Sequence, residues 1–265
     1  MVLQTPGDPP QGMASGFLVF VGPLPPDGQP SFYLVSAQHS VREAEQRGMD
    51  LEGLVIRAYD PAKAVQDRVP VTLQRNLWEH SPNSDVSIIP FPVDALPEDH
   101  NLTAIPVTEL ASRKPGAILP QGAPLKVFGA WGRQPGRGLT IMRTTYLATF
   151  ERPRSRIFIR PGVAHLVEVY LGDGTVSAGM SGGPVAYEGG GWGGSIIIGL
   201  IGGYCPFAED DLALRPDEED GAGRAAVLGQ LRRDIAAVNS GLFYIVPIGD
   251  VEPLLEAQGF PAGVP

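Results

Sequence analysis

The chain has almost no cysteine. Cys205 is the only one in 265 residues, which excludes an intrachain disulfide and a cysteine-built zinc site. Histidine is nearly as scarce. His39, His80, His100 and His165 lie far apart and form no local ligand pair, so no metal and no cofactor is expected. No run approaches the roughly 18 apolar residues of a membrane span. The start, Met1 to Gln11, has neither the basic nor the apolar region of a secretory signal. Positive charge is in deficit, with 20 bases against 29 acids and a net charge of −9. An acidic surface repels phosphate backbones, which argues against general nucleic-acid binding. Together these absences predict a soluble protein of a reducing compartment, with a cytoplasmic setting as the expectation.

Helical patterning is sparse too. Val41–Arg47 could form a turn or two, Gly223–Val238 has apolar residues at helical spacing, and Val251–Ala257 reads as a short terminal helix. Short β-type runs bounded by Gly and Pro fill the rest. Ala14–Gly22 and Ser31–Ala37 read as a hairpin with a long loop. Further strands are predicted at Leu54–Tyr59, Val69–Leu73, Val86–Pro90, Leu125–Trp131, Leu139–Phe150, Val163–Leu171, Ser195–Ile201 and Leu242–Pro247. Regular short strands separated by turns point to an all-β fold of antiparallel barrels or sandwiches, not βαβ units. The Pro-rich segment Phe91–Gly122 has little strand signal and divides the chain in two. Two stretches are biased in charge. Glu209–Asp220 holds seven acids and one arginine, while Arg133–Arg160 holds seven arginines and one acid. Arg152, Arg154 and Arg156 alternate and would share one face of an extended segment.

Three short motifs carry chemistry. Ser36-Ala37-Gln38-His39 follows a predicted strand, and Asp85-Val86-Ser87-Ile88-Ile89 opens one. Taken singly, such a histidine is more often structural or on the surface, and such an acid more often a turn or cap residue. Gly179-Met180-Ser181-Gly182-Gly183-Pro184-Val185 is more specific. Glycines on both sides of a serine let the backbone approach a substrate carbonyl, with the amides of Gly179 and Ser181 free to face a developing oxyanion.

In these residues the sequence resembles the chymotrypsin-like (trypsin-fold) serine peptidases. Their Thr/Ser-Ala-x-His, Asp-Val/Ile-Ala/Ser and Gly-x-Ser-Gly-Gly-Pro motifs are matched in the same order. His39 to Asp85 is 46 residues and Asp85 to Ser181 is 96, against roughly 45 and roughly 93 in the family template. The nearest flavour is the bacterial Deg/HtrA type, with a Ser15-Gly16-Phe17 opening strand, Val41 soon after the histidine and a closing strand at Phe243–Ile248. The resemblance covers about Ser15 to Leu255. It implies two six-stranded antiparallel β-barrels, over 12–105 and 106–258, with an acidic and helical insertion at 206–240 and a short C-terminal helix. His39 and Asp85 would come from the first barrel and Ser181 from the second.

The roles implied are those of a serine endopeptidase working through an acyl-enzyme. Ser181 would be the nucleophile, His39 its base, Asp85 the group that orients the imidazole, and the Gly179 and Ser181 amides the oxyanion hole. Thr175 would lie at the base of the specificity pocket, with Gly202 and Tyr204 on its wall, which suits a small or medium neutral residue before the scissile bond. Met180 replaces the acid that pairs with a newly cut N-terminus in zymogen-activated members. Ser40 takes the place of a common cysteine. His165 could line a subsite or be a plain strand residue, and Cys205 reads as a buried small hydrophobe. The partner expected is a protein or peptide substrate, with no membrane. A regulatory partner could engage the arginine-rich 133–160 or the acidic 209–220 stretch; for the latter a solvated loop is the default, with a lid or a selector for basic substrates as the alternative. After Leu255 only a short tail remains, and no PDZ-type module is expected. Two other classes fit the same motifs: a catalytically silent binding module, and a latent peptidase switched on by a partner.

Overall fold

The computed structural model describes residues 2–4, 12–22, 31–49, 51–60, 65–96, 103–113, 119–131, 139–149, 154–160, 163–177, 179–190, 194–206 and 239–260. The first half supplies β1 (Val2–Gln4), β2 (Gly12–Val21), β3 (Ser31–Ala37), helix α1 (Gln38–Gln46), β4 (Gly53–Asp60), β5 (Val65–Thr72), β6 (Glu79–His80), β7 (Val86–Pro90) and β8 (Ala104–Pro106). The second half adds β9 (Pro124–Trp131), β10 (Leu139–Leu147), β11 (Arg154–Arg160), β12 (Val163–Glu168), β13 (Tyr170–Asp173), β14 (Pro184–Gly190), β15 (Gly194–Pro206), β16 (Asn239–Pro247) and helix α2 (Glu252–Ala257).

Alternating side chains on a strand face opposite ways, and in the central strands both ways are buried. In β2, Phe17, Val19 and Val21 join one apolar cluster while Ala14 and Leu18 join another. Tyr33, Val35 and Ala37 of β3 part from Leu34 in the same manner, and Val86 and Ile88 of β7 part from Ile89. This is why these segments read as unbroken apolar runs and not as alternating ones. One cluster fills the curl of the first sheet. Another, with Leu125, Val127, Met180, Val185, Ile198 and Phe243, fills the second half. The largest lies between the halves, where Val35 and Ile88 meet Val167, Ile197, Leu200 and Val246. Fully burying one such side chain stabilises the fold by about 1.5–3 kcal/mol.

The second half closes as a six-stranded barrel in the order β10-β13-β16-β15-β14-β9. The first half departs from the expected six-stranded barrel. It is an eight-stranded sheet in the order β5-β4-β1-β2-β3-β7-β6, with β8 parallel to β2. Its two edge strands, β5 and β6, are neighbours in sequence, so the sheet curls back on itself, but no β5–β6 pairing joins them among the described residues. β6 is only two residues long, and the Ser81 amide just beyond it still donates to the Val86 carbonyl of β7 at 2.9 Å.

The helix expected at Val41–Arg47 begins earlier, at Gln38, and buries Val41 and Ala44 against Leu18 and Leu34. The predicted Val163–Leu171 strand is two strands, β12 and β13, separated at Val169. Among the described residues, strands β11 and β12 pair only with each other, and β11 lies against α1. At the end of the chain a 3-10 turn (Ile248–Val251) leads into α2, as the terminal helical pattern indicated. Leu254, Leu255 and Phe260 then pack into the seam, with the Phe260 ring edge-on to Tyr33 at 5.4 Å. The acidic stretch 209–220 and the helical pattern Gly223–Val238 lie outside the described residues. No helix among the described residues is long and apolar enough to cross a membrane.

Candidate active site

Strand register brings His39 to Asp85. The last antiparallel pair of β3 and β7 is Ala37 opposite Val86, so the residue before β7 meets the residues just past β3. The Gln38 amide continues the ladder to the Asp85 carbonyl (3.2 Å). Ala37 is still extended (φ −72°, ψ 131°), and α1 starts directly after it, which puts His39 on the first turn. The His39 amide donates to Asp85 Oδ1 at 2.7 Å, and His39 Nδ1 lies 2.7 Å from Asp85 Oδ2. Both carboxylate oxygens are therefore spent on one residue. A ring nitrogen facing a carboxylate carries the proton, so Nε2 is left as the acceptor. The Asp85 side chain is fully buried, whereas that of His39 is 23% exposed. Burial opposes the charged ring, but the Asp85 charge and hydrogen bond, aided by Glu43, outweigh it and raise the His39 pKa. Gln38, turned with its amide nitrogen toward them, donates to the carbonyls of Ser81 and Ser84 and steadies the turn before Asp85.

The serine turn hangs from the barrel. Met180 is buried in the barrel core, and the Gly182 amide donates to the Ile201 carbonyl (2.7 Å) while Ile201 donates back to Gly183 (2.9 Å). Two glycines are required here. Gly179 has φ +93° and Gly182 φ +85°, a region that side chains disfavour. A Cβ on Gly182 would lie 2.3 Å from the Ser15 carbonyl and 2.7 Å from the Ala37 amide. That closeness places the residue after Ser181 against the end of the strand that leads into His39. Ser181 itself is half-buried. Among the described residues, no acceptor takes the amides of Gly179 or Ser181, and the Ser181 hydroxyl makes no hydrogen bond.

The expected pocket residues are spread around β16. Thr175 is exposed, just past the Gly174 amide bonded to Gly241, and its carbonyl accepts from Arg143 at 2.9 Å. Gly202 is the extra residue of a bulge in β15, since Ile201 pairs with Ile245 and Gly203 with Tyr244. Bulges re-aim a strand, and this one lies beside the serine turn. Tyr204 pairs with Phe243 across β15 and β16, but its side chain lies outside the described residues. So do the side chains of Cys205 on β15, His165 on β12 and the arginines of β11. Among the described residues no cluster of His, Cys, Asp and Glu fits a metal ion. Sequence reasoning missed one residue at the site. Ser15 marks the opening strand in the resemblance, but nothing in its spacing tied it to the serine turn.

No family model matches the chain, and neither does any curated protein. Solved structures do. The active form of the Rv3671c protease from M. tuberculosis matches all of this chain (100%) and 82% of its own, at 16% identity and a TM-score of 0.52. An inactive form of the same protein with a serine-to-alanine change matches 100% of this chain and 88% of its own, at 17% identity and a TM-score of 0.51. This chain shares their chymotrypsin-like fold. At such identities the likeness establishes the fold alone, and the chemistry is argued from the residues.

Proposed function

We propose that the chain is a serine endopeptidase. Asp85 carries the reading: a buried carboxylate with both oxygens on His39 holds one imidazole tautomer and presents Nε2 as a base. His39 would take the Ser181 proton as the hydroxyl attacks a peptide carbonyl, then return it to the leaving amine. The Gly179 and Ser181 amides receive the oxyanion, where one donor is worth about 3 kcal/mol of barrier. The acyl-enzyme on Ser181 is then hydrolysed. Catalytic hydrogen bonds often tighten only with substrate in place, and the Ser181–His39 leg is the one to close. Thr175, Gly202 and Tyr204 support a small or medium neutral residue before the scissile bond. A regulatory partner at the arginine-rich or acidic stretch, and a cytoplasmic setting suited to the single cysteine, belong to the same proposal.

A second reading, a catalytically silent binding module, has one observation in its favour: the unbonded Ser181 hydroxyl. Labelling with a fluorophosphonate distinguishes the two. The native protein should label and Ser181→Ala should not, and peptide-library cleavage should follow the same pattern. No labelling of the native protein, where a control peptidase reacts, favours the silent module.

A further inference from the structure

Ser15 is 1% exposed and belongs to β2 of the first half. Its hydroxyl donates to the Gly179 carbonyl at 2.6 Å and accepts from the Ala130 amide at 2.7 Å. An amide can only donate, so the hydroxyl proton is directed at Gly179. The Ser15 amide donates to the Ser181 carbonyl at 2.9 Å, and the Ser15 carbonyl accepts from Ser36 Oγ at 2.9 Å. One side chain and its own amide thus hold the carbonyls of Gly179 and Ser181, the two residues whose amides would bind the oxyanion. Gly179 has no Cβ to limit its rotation, so an external anchor decides where its peptide groups face.

We propose that Ser15 is a positioning residue that fixes the Gly179–Ser181 turn in its oxyanion-binding arrangement. Because Ser15 comes from the opposite half, it also couples the competence of the turn to the seating of the first sheet on the barrel. The proposal rests on the peptidase reading, and it concerns kcat and not substrate affinity. A peptide held by its flanking residues binds as before, while the tetrahedral state loses fixed donors.

The full chain, Ser15→Ala and Ser15→Cys are compared on one cleavable peptide, with Leu51→Ala in the first-half core as a destabilised control. In Ser15→Ala, kcat should fall roughly 10- to 100-fold, short of or equal to the loss of a whole oxyanion donor. KM should stay within about twofold. Affinity for a peptide boronate, which forms a tetrahedral adduct, should fall in step with kcat, and the pH midpoint of kcat should not move. Leu51→Ala should melt earlier and keep the native kcat. Should the alanine variant not fold, Ser15→Cys decides, since its thiol is a weaker donor of similar shape. A lowered kcat supports the proposal and a native kcat overturns it. An active native protein with an unchanged Ser15→Ala variant overturns this proposal alone. A native protein that neither labels nor cleaves overturns the peptidase reading, and this one with it.

Discussion

Replacing Asp85 by asparagine keeps the volume and removes the charge. The aspartate accepts twice, from the His39 amide and from Nδ1, each at 2.7 Å. Asparagine has one acceptor oxygen. If that oxygen stays with the main-chain amide, its NH2 group faces Nδ1, which must then become an acceptor. The ring proton moves to Nε2, where it blocks the base. The expected loss is about 10⁴ in kcat, or about 5.5 kcal/mol at 1.36 kcal/mol per decade. The charge and the hydrogen bond that raise the His39 pKa vanish together, and burial then pushes it down. In the native protein kcat/KM should rise with pH through a limb above 6.5, where the raised His39 pKa lies. A raised histidine pKa also contributes stability that is full below the unfolded value and fades as pH climbs through the folded one. The stability gap between native and Asp85→Asn should accordingly be widest at acid pH. Peptide hydrolysis across pH measures the kcat loss and the limb, NMR titration of the His39 ring its pKa, and urea unfolding at several pH values the stability gap. An asparagine variant within about tenfold of native kcat, or a ring still titrating above its ordinary value, refutes the tautomer argument.

Two further outcomes follow from the same geometry. Gly182→Ala forces a side chain at φ +85° and a Cβ 2.3 Å from the Ser15 carbonyl; a loss of about 3 kcal/mol or more is expected in urea unfolding, and a loss under about 1 kcal/mol would mean the turn is not wedged there. His80 is depressed to about 4 by burial and by Arg42. The unfolded chain therefore binds a proton that the folded one refuses, and stability should drop as pH falls from 6.5 to about 4. His80→Gln should flatten that limb in urea midpoints measured against pH; an unchanged limb removes His80 as its cause.

The sequence made the central strands legible because they are buried on both faces. Ser31–Ala37 and Val86–Pro90 coincide with β3 and β7, and the terminal helical pattern is α2. What escaped was short or borrowed its stability from elsewhere. Val2–Gln4 is too brief to show a period, and it is a strand only because β2 and β4 flank it. Ala104–Pro106 sits in a Pro-rich stretch and pairs parallel to β2, a contact no local pattern encodes. Arg154–Arg160 looked like a charged stretch, but its register with Val163–Glu168 makes it half of a hairpin. At the site, motif order brought His39 and Asp85 forward, and their contact was expected. Ser15 was invisible in its role because that role depends on bonds to a turn 164 positions away.

His39 and His80 show why motif position alone does not make a base. Both lie beside β7, and each uses Nδ1 on a neighbour at 2.7 Å. The neighbour of His39 is a buried carboxylate, which favours a charged ring and outweighs burial. That of His80 is the neutral Ser87 hydroxyl, with the Arg42 charge nearby, so burial prevails and the ring stays neutral. A catalytic base must gain a proton during the reaction and lose it again. His39 sits where that charge is stabilised; His80 sits where it is refused. The difference arises from β7 itself, whose residue just before the strand is an acid facing α1, while Ser87 faces β6. Exchanging these two environments by Asp85→Ser with Ser87→Asp would move the proton-accepting character toward His80, away from the serine turn, and activity would not follow it.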